Sequence, residues 1–84
     1  MTLEKIAADI CEKNALPYGY FSQKYGKRKH YLAGYGSGVF TTTYHKNITD
    51  VIVFSWQGTV DDEKASVMLE PFTDLIIQLT KELT

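Results

Sequence analysis

The stretch YGYFSQKYGKRKHYLAGYG, residues 18–36, decides the fold. Tyr and Phe recur among small and polar residues, and Gly26-Lys27-Arg28 interrupts the pattern in the middle. That is strand, tight turn, strand, because aromatic side chains suit a pleated surface and glycine relieves the turn. The reading puts strands over residues 18–25 and 29–35. Continuing outward, Gly36-Ser37-Gly38 marks a second turn, residues 39–45 a third strand, and residues 50–57 a fourth beyond a turn at Lys46-Asn47. Connections this short join antiparallel neighbours, so the simplest sheet is a four-stranded meander. Pairing about Ser37 sets Leu32 against Thr42 and Gly34 against Phe40, whose ring would cover the bare glycine.

Helices flank the strands. Leu3, Ile6, Ala7, Ile10 and Cys11 recur at helical spacing, with Thr2 placed to cap and Asn14 to close before Pro17. After the strands, Ala65, Met68, Leu69, Phe72, Leu75, Ile76, Leu79 and Leu83 form one apolar stripe. It opens at Thr59 with Asp61, Asp62 and Glu63 beside the positive end of the helix dipole. Pro71 costs the Val67 carbonyl its partner, yet the stripe keeps its phase across it, which predicts a single kinked helix. Each helix has one apolar stripe to bury. The expectation is therefore an α+β fold: a helix, a four-stranded antiparallel meander and a long kinked helix, with both helices on one face of the sheet. Turn length leaves two registers open for the last strand, with Val51 and Val53 or Ile52, Phe54 and Trp56 toward the helices, and the second is favoured because it buries the larger apolar area. Tyr31, Tyr35, Thr41 and Thr43 then share the other face, a surface of tyrosine and threonine that suits a partner.

The 84 residues make one domain, 1–84, too small for an elaborate catalytic cavity. With 44% hydrophobic and 23% charged residues the composition is globular and not disordered. The longest apolar run, Val51–Phe54, is far short of the ~20 residues a bilayer needs, so no membrane role is expected. A lone Cys11 and the lack of a basic-then-apolar opening point to the cytoplasm.

A net charge of −1 conceals an uneven distribution. Residues 1–12 sum to −2, residues 13–49 to +6 without a single acid, and residues 50–84 to −5. The densest basic cluster is Lys24, Tyr25, Lys27, Arg28, Lys29, His30 and Tyr31, at the expected hairpin tip. Lysine and arginine neutralise phosphates, and tyrosine rings stack on unpaired bases, so this mixture suits an anionic partner or a nucleic-acid strand. The element order resembles that of the double-stranded RNA-binding domain. That family has three strands and places lysines at the start of its second helix, where this chain has Asp61, Asp62 and Glu63. No functional residue is carried over from the resemblance.

Other chemistries find little support. Gly34-Tyr35-Gly36-Ser37-Gly38 precedes a strand, not the helix N-terminus that a phosphate loop requires. His30 and His45 could meet across a hairpin but lack further ligands, so neither a metal nor a cofactor is expected. No serine has a nucleophile context, and no catalytic residue is assigned. A hydrolase or ligand-binding reading would need a pocket joining His30 or His45 to a carboxylate. The leading expectation is a non-catalytic binding module that contacts a protein partner or a second copy of itself. A sheet-face interface at Tyr35, Thr41 and Thr43 would serve it. The alternative is nucleic-acid binding through the basic tip.

Overall fold

The computed structural model describes residues 2–36 and 43–81. Its element order is α1 (Leu3–Lys13), β1 (Tyr18–Tyr25), β2 (Arg28–Gly36), β3 (Tyr44–Asn47), β4 (Ile52–Gln57) and α2 (Asp62–Leu79). This is the expected α+β arrangement of two helices around a four-stranded antiparallel sheet. Among the described residues, no helix is long and apolar enough to cross a membrane.

Strand order departs from the meander. The sheet runs β2-β1-β4-β3, so two hairpins lie side by side with β1 against β4. The reason is burial. Ile52 through Trp56 are all fully buried, on both faces of their strand, and such a strand belongs at the centre of a sheet. A meander would leave it at an edge. The basic β2 and the four-residue β3 take the edges instead, where charge and shortness discourage unwanted pairing. On the side of β2 that faces β1, Gly34 opposes Tyr20, and the expected pairing about Ser37 concerns the other side. The other members of that pairing, Ser37, Gly38, Phe40 and Thr42, lie outside the described residues, as does Thr41.

The first hairpin turns in two residues, Gly26-Lys27, with Arg28 already paired to Tyr25. Gly26 takes φ 58°, which a type II′ turn demands at its first central position. The second hairpin turns later than expected, through Ile48–Val51. Thr49 Oγ1 there accepts from the amides of Val51 (3.2 Å) and Ile52 (3.0 Å).

β2 contains a bulge, for the register slips by one residue between Phe21/Ser22 and Ala33/Tyr31, leaving Leu32 extra. One extra residue reverses every side chain beyond it. Tyr31 therefore stays on the helix-free face, whereas Tyr35 opposes Gly19 and packs against the helix-side core. The assignment of Tyr35 to the outer face is corrected on this ground.

The helices behave largely as their sequences require. Thr2 Oγ1 accepts from the Lys5 amide at 3.2 Å, and Asn14 closes α1. Ala15 then adopts φ 54°, letting the Leu16 amide reach the Cys11 carbonyl at 2.8 Å, the bond of a Schellman closure. α2 is one helix with Pro71 inside it. It is capped by Asp61, not Thr59, with Asp61 Oδ1 accepting from the Lys64 amide at 3.0 Å. The Trp56 indole donates to the Val60 carbonyl at 2.8 Å, which pins the chain just before this cap.

Ile52, Phe54 and Trp56 join Ile6, Ile10, Cys11, Phe21, Met68, Leu69 and Ile76 in one core, as the burial argument predicts. Both helices contribute to this cluster and touch one another, so they share a face of the sheet. At Gly19 α1 packs closely on the sheet. A Cβ there would lie 2.7 Å from both Cys11 Sγ and the Phe54 ring. Gly19→Ala should therefore force α1 outward and cost about 1–3 kcal/mol, read as a lowered urea midpoint with unchanged m-value.

Candidate functional site

With both helices on one side, the other side of the sheet is built from strand residues in register. One row across it reads Gly34, Tyr20, Ser55, His45, and the next reads Tyr31, Ser22, Val53, Asn47. Tyr18 and Gln57 pair beyond the first row, and Lys24 and Lys29 pair beyond the second. The described strand residues of this face thus include two lysines and no carboxylate. The acidic side chains among the described residues belong to α1, α2 and the turns around residues 50 and 61. The charge separation along the chain is kept only in part, for of the six cations of residues 13–49 Lys24 and Lys29 reach this face, Lys27 sits in the turn, Lys13 belongs to α1, and Arg28 and Lys46 alternate to the helix side.

Three tyrosines form one aromatic cluster on this face. Tyr20 and Tyr31 stack with ring centroids 5.8 Å apart and planes at 29°. Tyr18 meets Tyr20 edge-on at 5.5 Å and 60°. Gly34 makes room for them, because a Cβ at that position would sit 2.7 Å from Tyr31 Oη and 2.8 Å from Tyr20 Cβ. Tyr31 remains 57% exposed, so a ring face is open to solvent. Burial, followed by the neighbouring Tyr31 and Tyr20 hydroxyls, raises the Tyr18 pKa.

Two polar links cross the face. Lys24 Nζ donates to Asn47 Oδ1 at 3.2 Å, reaching across β4 to a strand two places away. His45 Nδ1 and Ser55 Oγ share a hydrogen bond of 2.7 Å. The His45 pKa is lowered by desolvation and then by the charge of Lys29, with Asp62 opposing. Between the two links lies Ser22, 1% exposed, whose Oγ has no hydrogen-bond partner.

The residues singled out from sequence divide between the two sides of the sheet. Lys24, Lys29 and Tyr31 lie on the helix-free face. Tyr25, Arg28 and His30 alternate to the other side, where the Tyr25 and His30 rings meet at 6.3 Å, and Lys27 occupies the turn. Thr43 precedes β3 and is half-buried. Sequence reasoning gave no binding role to Tyr18, Tyr20, Ser22, Asn47 and Ser55, and weighed His45 only for metal or hydrolase chemistry. The alternation Tyr18-Tyr20-Ser22-Lys24 was the available signal, given Gly19, Phe21 and Gln23 on the inner face.

The chemistry of catalysis and metals can be placed in the same way. His30 and His45 stand on opposite edge strands and opposite faces, so they do not approach one another. The described residues include no cluster of three or more metal-ligating side chains. His45 and Asp62 line a common shallow cleft of about 410 Å³ at the β3 edge. The hydroxyl bonded to His45 there belongs to Ser55, which is fully buried and closed to a substrate. Cys11 is held in the core, and burial, with the Glu12 charge second, pushes its thiol up to about 11.

Comparison with protein-family models, curated proteins and solved structures finds no match.

Two titrations check this description. Cys11 should resist a thiol reagent at pH 8 in the folded protein and react only after denaturant is added, because neither access nor thiolate is available. His45 should titrate below ~6.5 by NMR. Since its folded pKa is depressed, its contribution to stability is complete above about pH 6.5 and is lost as pH falls through the folded value.

Proposed function

We propose that this chain is a binding module whose helix-free sheet face takes up a single-stranded nucleic acid. The observation that carries the reading is the Tyr18–Tyr20–Tyr31 cluster, laid over Gly34 and continuous with Lys24 and Lys29 on a face without a strand carboxylate. Tyrosine rings offer sequence-tolerant surfaces for unstacked bases, and the lysines meet the backbone charge. The acidic helices lie behind the sheet and leave the face itself electropositive. A long duplex fits poorly, because its paired bases have no free faces to offer the tyrosines.

The charge layout also favours a second reading, in which the partner is a protein. Another copy of the chain carries acid on its helix layer, and that layer complements the basic face. Such a contact is head-to-tail, and it grows into open chains unless the rotation closes a ring. It would use the lysines but gives the exposed tyrosine face no particular role, which is why the nucleic-acid reading is preferred.

Titration of a labelled oligothymidylate at low salt should give binding that weakens as salt rises. Tyr20→Ala and Tyr31→Ala should each cost about 1–3 kcal/mol of affinity. Absence of binding to any single strand at low salt would remove this reading. Salt-sensitive growth of mass with protein concentration in sedimentation would then support the second.

A further inference from the structure

We propose that the lysine end of the helix-free face is a seat for one backbone phosphate of a single strand, with Ser22 Oγ, Lys24 Nζ and Lys29 Nζ as its donors. The inference rests on the nucleic-acid reading and adds to it a named anion subsite. Lys24 and Lys29 are direct cross-strand partners on the same face. Like charges in that relation repel, and an anion between them removes the penalty. Ser22 precedes Lys24 by two residues and opposes Tyr31, so it shares a corner of the face with both lysines.

Two observations point to a ligand at that corner. Ser22 Oγ is a buried hydroxyl left without a partner, a costly state that a bound oxygen would relieve. Lys24 meanwhile spends its ammonium group on the neutral amide oxygen of Asn47, at 3.2 Å, reaching across β4 on the same face as Ser22. A phosphate oxygen is a stronger acceptor than an amide for a charged donor. Release of Asn47 lets Lys24 swing toward the phosphate and uncovers the serine in the same movement. Tyr31, next to the seat on β2, is then placed to stack on the base attached to that phosphate.

The test follows backbone amide shifts of the ¹⁵N-labelled full chain. Three ligands are added in turn: inorganic phosphate, an abasic oligodeoxynucleotide and an oligothymidylate. Phosphate and the abasic strand should both move Ser22, Lys24 and Lys29. Replacement of both lysines by Gln should lower the log–log salt slope of oligothymidylate binding by about 0.7, the share of one phosphate. Ser22→Ala should weaken binding while leaving Tm unchanged or raised, since it deletes a hydroxyl that has no partner in the fold. A lowered Tm in that variant would give the hydroxyl a structural role and overturn its part in the seat. An unchanged salt slope in Lys24→Gln/Lys29→Gln would overturn the seat while oligothymidylate binding kept the nucleic-acid reading intact. Shifts at the three residues with phosphate and the abasic strand, but no added affinity from bases, would uphold the seat and remove the base-stacking role of the tyrosines.

Discussion

Everything in this fold depends on the ladder between β1 and β4. Phe21 and Phe54 are direct partners across it, with ring centroids 4.9 Å apart, and both are fully buried beneath the helices. Trp56 continues the stack from Phe54 at 5.8 Å, and Tyr44 extends it to the sheet edge at 5.7 Å. Gly19, opposite Trp56, keeps its position empty so that Cys11 of α1 can settle against the Phe54 ring. Joining two hairpins at their most apolar strands gives a core that neither hairpin could bury alone.

The same ladder creates the outer face. Once Phe21 and Phe54 point inward, alternation sends Tyr20, Ser22, Val53 and Ser55 outward, and the edge strands add Tyr31, Lys29, His45 and Asn47. Both helices, with most of the acidic side chains, are committed to the inner side. The outer side is left polar, aromatic and basic. A sheet covered on one face only is a natural platform, and its chemistry here comes from strand residues held rigidly by register and not from loops.

Much of this was legible in the sequence. Helical spacing located α1 and α2, glycine at 26 located the first hairpin, and relative apolar area put Ile52, Phe54 and Trp56 on the helix side. Strand order was misread because turn residues at 36–38 suggested a hairpin. The competing signal was the unbroken apolar run from Val51 to Phe54, which marks a central strand. The outer face was only half legible. Counting by twos from Lys24 backward reaches Ser22, Tyr20 and Tyr18, but counting by twos along β2 fails at Leu32, since no residue type there announces a bulge. Tyr35 was misplaced for that reason alone. The partnership of Lys24 with Asn47 and of His45 with Ser55 depends on strand order, which local patterning does not encode.

The central position of β1 also governs how the chain acquires its structure. Its hairpin with β2 is local and closes through two residues, whereas its pairing with β4 joins Tyr18 to Gln57, residues far apart along the chain. Loop-closure entropy must be met before that second ladder gives anything back, so docking of the two preformed hairpins is the slow step expected of such a topology. On a ribosome, β1 keeps one bare edge until Gln57 has emerged, and α1 has no finished floor to rest on until the same moment.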